Sequence, residues 1–349
     1  MAHPFTFLGY MRPADGYGYA ATKIAKALRK LTLPQACVID MAKDGRVPAE
    51  PPHYNVKGTA ITLSIPTLWN ITAQQLLGYT MFETTKPPAS FIDGINAKAD
   101  MLLSPTPWGK EVFQNNGVTI PIETVSFGID PEDYYPLDRT REGERPFVFV
   151  WSGTPDLRKG WDIAYKAFRQ AFGGRSDVLL LLHFREVAPV GVRFADKNVN
   201  VLTGVFPLDN FRSFYQWADC MVFPSRGEGW GLPPREAAAT GLPVIATNWG
   251  GLAYELPSWG MPLNVKGLKP AAHGYWQEGT IGEWAEPDVD HLVHLMRHCV
   301  DNRDEIAAKG ARAAAWLAEH ATWDRTARGL MLAVSLAEEE RHHVGIPGI

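Results

Sequence analysis

Short apolar runs, each followed by a turn and then a helical pattern, recur along the chain. The first, Phe5 to Tyr10, leads into a turn-rich stretch ending Asp15-Gly16-Tyr17-Gly18 and a helical pattern to about Leu31. Further runs stand at Ala36 to Asp40, Thr59 to Ser64, Leu77 to Phe82, Met101 to Ser104 and Glu123 to Phe127, with helical or turn-rich stretches such as Phe91 to Lys98 and Lys110 to Asn115 between them. This alternation predicts a parallel sheet covered by helices, since each parallel crossover needs a long connection.

The polar stretch Tyr135 to Arg145 interrupts the pattern as a domain linker does. Beyond it the alternation restarts with Phe147 to Trp151, a helix carrying Trp161, Tyr165, Phe168 and Phe172 on one face, and the run Val178 to Leu182, apolar enough for burial on both sides. Strands at Val199 to Leu202, Cys220 to Phe223 and Pro243 to Thr247 alternate with helices at Leu208 to Ala218 and Pro233 to Thr240, and the chain reads as helical beyond Asp290. Two doubly wound α/β domains are expected, facing each other across a cleft. Their 349 residues suit two cores at roughly 150 residues per domain. Ligand-binding residues should then follow strands, because open α/β sheets bind outside the carboxyl ends of their strands.

Composition excludes some classes of function. Thirty-four Lys and Arg against 38 Asp and Glu give a formal charge of -4, which disfavours a strongly basic nucleic-acid binder. No run approaches the roughly 18 apolar residues of a membrane span, so no integral membrane association is expected. Cys37, Cys220 and Cys299 are scattered, which suggests neither a disulfide framework nor a zinc site and fits a reducing cytoplasm. The N-terminus shows no secretory pattern. A local excess of positive charge, Arg12, Lys23, Lys26, Arg29 and Lys30 against Asp15, reads as a solvated helix face, with anionic lipid, nucleic acid or a phosphorylated acceptor as the alternative partners.

The most informative stretch is Pro224 to Gly251, PSRGEGWGLPPREAAATGLPVIATNWGG. Gly227, Gly229 and Gly231 permit tight turns after the strand ending at Phe223. Pro233 and Pro234 suit a helix's first turn, whose amides and positive dipole end would face an anion such as phosphate. Glu228 and Glu236, eight apart, place carboxylates on either side of that seat, where they can accept hydrogen bonds from vicinal hydroxyls. A hydroxylated ligand with a central phosphate, a nucleotide sugar, fits this pattern.

The stretch resembles the Glu-x7-Glu signature of family-4 retaining glycosyltransferases of the GT-B fold. The likeness implies that Glu228 contacts donor-sugar hydroxyls, Glu236 holds the ribose, and the backbone of Gly229, Trp230, Gly231 and Leu232 holds the sugar and diphosphate. Leu157-Arg158-Lys159-Gly160 resembles the family's Arg-Lys-Gly segment, making Lys159 the diphosphate cation. Together with Glu228 it is the catalytic expectation. The family's earlier arginine is missing where this chain reads Ser152-Gly153-Thr154, and Arg158 and Arg12 are the candidates for its place. Gly204-Val205-Phe206 is similar to the loop that meets the nucleobase, and Gly16-Tyr17-Gly18 to the family's glycine loop, with a plain turn as the alternative.

Where the family often has a histidine, this chain has Glu83, either an acceptor-site residue or a loop cap; Arg12 is the second acceptor-site candidate. Asp288-Val289-Asp290 reads as a helix cap, and His291, His294 and His298 as a solvated face, so no cofactor and no essential metal are expected. The likeness places residues 1–140 and about 326–349 in an acceptor-binding domain, and 146–325 in a donor-binding domain. Transfer from a nucleoside-diphosphate sugar to an unidentified hydroxyl is the leading function. The acceptor could be a small molecule, a glycan, a protein or a modified DNA base. A sugar-nucleotide epimerase or hydrolase and a non-catalytic carbohydrate-binding protein are the alternatives.

Overall fold

A computed structural model describes residues 5–12, 15–31, 36–139, 145–272 and 281–344, with the side chains of 342–344 excepted. The chain divides into two compact units, Met1–Gly128 with Trp276–Ile281 and Ala321–Ile349, and Ile129–Tyr275 with Gly282–His320.

The first unit runs β1 (Phe5–Gly9), α1 (Gly16–Lys30), β2 (Ala36–Asp40), β3 (Tyr54–Asn55), β4 (Thr59–Leu63), β5 (Ile71–Thr72), β6 (Gln75–Tyr79), α2 (Ala89–Lys98), β7 (Met101–Ser104), α3 (Pro107–Asn115) and β8 (Ile122–Thr124). Six of these strands form a parallel sheet ordered β2-β1-β4-β6-β7-β8. The short strands β3 and β5 pair separately. Gly16 and Gly18 form the first turn of α1 rather than an open loop: Asp15 caps the helix by accepting from the Gly18 amide at 2.9 Å. A Cβ on Gly18 would lie 2.3 Å from the Arg12 carbonyl oxygen, so only glycine lets the chain pass so closely there.

The second unit runs β9 (Phe147–Gly153), α4 (Trp161–Phe172), β10 (Val178–Phe184), β11 (Val199–Thr203), α5 (Leu208–Trp217), β12 (Cys220–Phe223), α6 (Leu232–Ala239), β13 (Val244–Thr247), α7 (Leu256–Trp259), β14 (Met261–Leu263), β15 (Val265–Pro270), β16 (Glu283–Pro287), α8 (Val289–Asp301) and α9 (Arg303–His320). Its parallel sheet is ordered β11-β10-β9-β12-β13-β14. The order reverses between β9 and β12, which makes their carboxyl ends the topological switch point of a dinucleotide-binding fold. Every residue of β9, β12 and β13 is buried, consistent with cover on both faces of the sheet.

The first unit ends at Gly128, before the polar stretch that marks the boundary in the sequence. The reason is local: the segment after Gly128 is tied to the second unit. Leu137 donates its amide to the Thr240 carbonyl, Arg139 bonds the Thr240 carbonyl and hydroxyl and the Tyr215 carbonyl, and Arg212 bonds the carbonyls of Glu132 and Asp133. Residues 140–144 of the expected linker and 345–349 of the expected tail lie outside the described residues.

The chain rejoins the first unit at Ala321, a few residues before the expected 326, and its last helix is α10 (Trp323–Val344). Trp323 packs on Phe127 and Tyr19, while Gln75 donates to the Ala337 carbonyl at 2.7 Å. Sequence reading also passed over the antiparallel pair β15–β16, whose Trp284 is buried and whose Ala285 amide bonds the Arg226 carbonyl at 2.9 Å. Among the described residues no helix is long and apolar enough to cross a membrane.

Helix α9 packs against α6 at Gly310, where an added Cβ would sit 2.2 Å from the Gly241 carbonyl oxygen. A mid-helix glycine-to-alanine change ordinarily gains about 1 kcal/mol, whereas overpacking costs about 1–3 kcal/mol. Here the obstacle is backbone, so the second effect wins. Gly310→Ala is expected to lower the urea midpoint of the folded protein, and a raised midpoint would contradict this packing.

Candidate active site

The carboxyl ends of β9 and β12 bring together the two segments singled out in the sequence. After β9, Asp156 caps a short turn of 3-10 helix, Leu157–Lys159, by accepting the Arg158 amide at 2.8 Å. Gly160 follows at φ +72°, and a Cβ there would lie 1.9 Å from the Pro224 carbonyl oxygen just after β12. The two exits are also joined by the Arg226 amide, which donates to the Arg158 carbonyl at 2.7 Å.

Glu228 stands at their meeting point, only 5% exposed. Its Oε1 accepts from Lys159 Nζ at 2.7 Å, Ser225 Oγ at 2.9 Å and Arg158 at 3.3 Å. Burial pushes the carboxyl pKa up, but the charges of Lys159 and Arg158 and these hydrogen bonds outweigh it, leaving the group below its ordinary value. The carboxylate is therefore ionised at neutral pH. All three bonds converge on Oε1, which leaves Oε2 to accept a ligand hydroxyl. Arg158 also donates to the Gly227 carbonyl at 2.7 Å and is buried, so its cation is used within the loop.

The rest of the motif follows. Gly231 adopts φ +83° and precedes α6, with Leu232 its first residue. Trp230 is buried, its ring against the Arg235 guanidinium, so it offers its backbone rather than an exposed ring. Gly229 carries the carbonyl that a Cβ on Gly251 would meet at 2.2 Å, and Gly250 adopts φ +65°, which explains the later glycine pair. Glu236 is half-buried on α6 and helps, after burial, to raise the pKa of Tyr215 on α5. The expected row of free amides is thinner than the sequence suggests, because Pro233 and Pro234 fill positions that otherwise carry N–H groups.

At the ends of β10 and β11 lies a feature that the sequence reading missed. His183 is fully buried, with Nε2 2.8 Å from the Gly204 carbonyl and Nδ1 2.8 Å from Ser152 Oγ. A carbonyl only accepts, so Nε2 carries the proton, and in the neutral ring Nδ1 accepts from the Ser152 hydroxyl. Burial, more than the nearby Arg185 charge, lowers the pKa of His183 and favours that neutral form. The ring stacks on Phe206 with centroids 3.9 Å apart. This fixes Gly204, at φ +112°, and leaves Val205 67% exposed beside it. A histidine closing the apolar run of β10 was the available signal.

The acceptor-site candidates, Arg12 and Glu83, belong to the first unit. Arg12 pairs with Asp15 at 2.6 Å, so its charge is already engaged. Glu83 is half-buried after β6, close enough to Tyr17 to contribute, well behind burial, to that phenol's raised pKa. The Tyr17 hydroxyl bonds Thr80 Oγ1 and the Met81 backbone, tying the start of α1 to the segment that carries Glu83. Asp288 caps α8 through the amides of Asp290 and His291, and Lys266 pairs with both aspartates. Among the described residues no group of three or more His, Cys, Asp or Glu is arranged to hold a metal ion.

The depressed Glu228 pKa has a stability consequence with a definite sign. The ionised state is favoured by folding, so its contribution is complete above the unfolded value near 4.5 and is lost as pH falls through the lower folded value. Glu228→Gln leaves the partly buried Lys159 without its counter-charge and the buried Arg158 with Asp156 alone, 3.9 Å away, and is expected to cost about 3 kcal/mol at pH 7. Urea denaturation should show the gap from wild type narrowing at acid pH; a gap that does not change with pH would refute the pairing.

Residues 147–261 match the family described as Glycosyl transferases group 1. A D-inositol 3-phosphate glycosyltransferase of Acidothermus cellulolyticus is 28% identical over 210 residues, covering 53% of this chain and 46% of that protein. The chain thus matches about half the length of that curated relative. Among solved structures, sucrose-phosphate synthase from Thermosynechococcus elongatus superposes with a TM-score of 0.67 at 14% identity, covering 98% of this chain and 100% of the other. Anabaena HepE, solved in complex with UDP and glucose, gives 0.65 at 12%, covering 95% and 99%. The second unit therefore carries a glycosyl transferases group 1 domain, and the two Rossmann-like units are those of the GT-B fold.

Proposed function

We propose that this chain is a retaining glycosyltransferase of the family-4 type, which moves a sugar from a nucleoside-diphosphate donor to a hydroxyl acceptor. The observation that carries the reading is the buried Glu228 paired with Lys159 at the switch point of the second sheet. Glu228 Oε2 accepts a hydroxyl of the donor sugar, and Lys159, partly exposed beside it, neutralises the leaving diphosphate. Glu236 accepts from the ribose, and the Gly204–Phe206 loop borders the base. The UDP and glucose bound by Anabaena HepE support a nucleotide sugar as donor.

In this mechanism the bond from the anomeric carbon to the phosphate oxygen breaks first, giving an oxocarbenium-like species. The acceptor oxygen bonds to the same face, and its proton passes to the departing phosphate. The protein contributes position and charge stabilisation rather than a nucleophile. We assign the reaction no metal and place it in the cytoplasm, a reducing setting that suits the three free thiols. Glu83 and Arg12 are the first residues to test for the acceptor, whose class is open.

The test has two arms. In a thermal-shift screen of UDP, GDP, ADP, dTDP and CMP, one nucleotide should stabilise the wild type and stabilise Glu236→Ala less. With the matching sugar donor, Lys159→Ala is expected to lose on the order of 100-fold to 1000-fold in turnover. A chelator should leave wild-type turnover unchanged. Stabilisation by no nucleotide, or near-normal turnover in the lysine variant, would overturn the assignment.

A further inference from the structure

Arg235 is a charged side chain with no exposed surface, on a helix where Glu236 and then three alanines follow it. Its guanidinium lies 3.8 Å from the Trp230 ring centroid and 4.9 Å from that of Trp259. It donates to the carbonyls of Trp230, Gly231 and Gly251, the last at 3.3 Å, and Glu255 lies 3.7 Å away. Burial lowers its pKa to about 10, so it remains charged at neutral pH. A buried cation is costly unless its surroundings use it, and here it gathers three carbonyls from the two loops around Glu228.

The consequence follows from peptide geometry. In a trans peptide the N–H points opposite to the C=O, and the chain has no cis bonds among its described residues. With the Trp230 and Gly231 carbonyls drawn toward Arg235, the amides of Gly231 and Leu232 point away from it. Pro233 and Pro234 have no N–H, so these two amides are the donors that α6 presents at its start. Among the described residues neither has a protein acceptor.

We propose that Arg235 is a positioning residue, which holds the Trp230–Leu232 backbone so that the Gly231 and Leu232 amides meet the diphosphate of the donor. The inference rests on the donor reading above and adds to it a residue that never touches the ligand. It explains why this position is arginine: an apolar side chain would fill the space but take the guanidinium donor away from three carbonyls.

The experiment compares wild type, Arg235→Met and Arg235→Lys by calorimetric titration with UDP, GDP and ADP. The tightest is carried forward against its own nucleoside, and melting temperatures are measured in parallel. Positioning predicts that the methionine variant binds the diphosphate about tenfold or more weakly, keeps its nucleoside affinity within about twofold, and is partly rescued by lysine. Equal loss for both ligands, or none for the diphosphate, overturns the proposal.

If the methionine variant fails to fold, hydrogen exchange on the wild type decides. Exchange at Gly231 and Leu232 should slow on adding the diphosphate but not the nucleoside, and unchanged exchange overturns the proposal. A wild type that binds none of the three nucleotides overturns the donor reading itself, and this inference with it.

Discussion

Glu228 is a buried carboxylate between two cations, and the second unit is arranged around keeping it there. Moving such charges out of water is expensive, and their attraction repays the cost only with good geometry and satisfied hydrogen bonds. The protein meets that condition by latching two strand exits together. Gly160 passes against Pro224, the Arg226 amide bonds the Arg158 carbonyl, and the Ser225 hydroxyl reaches Glu228 itself. Loss of any one of these would loosen the geometry that makes the charge pair tolerable. The glycine is as much part of the site as the glutamate.

Around this latch the unit adds further cationic clasps. Arg226 forks onto both oxygens of Asp162 on α4, at 2.9 and 2.8 Å, while its backbone carbonyl receives the amide of Ala285. A helix, the loop after β12 and the β15–β16 pair are thereby held by one residue. Arg235 does the same on the other side of the motif, and Arg139 and Arg212 fasten the chain that leaves the first unit. Arginine suits these tasks because its planar fork bonds several acceptors at once and stays charged when buried.

Strand and helix alternation was legible because each run is short, apolar and bounded by turn residues, and because β9, β12 and β13 are buried on both faces. Glu228 and Lys159 were legible through a long ordered motif. The partners that fix them were not: Arg235 sits in an alanine-rich helix and His183 at the end of an apolar strand, and nothing in a linear pattern says which carbonyls each will meet. The pair β15–β16 was missed for a related reason. Its register is set by contacts with Arg226 and with its own partner, and the segment lacks the alternation that marks an independent strand.

On the proposed donor reading, the charges of the site give the ligand a definite orientation. Glu228, with Asp156 3.9 Å from Arg158, balances the two neighbouring cations, and a diphosphate would be drawn to the more exposed of them, Lys159. The same diphosphate is repelled by the carboxylate, and Arg158, committed to the Gly227 carbonyl, cannot turn outward to relieve that repulsion. A neutral, hydroxylated group next to Glu228 and an anionic group next to Lys159 satisfy both constraints at once. A sugar followed by a phosphate has that order, and the reversed ligand would place like charges together in a buried setting where water cannot screen them.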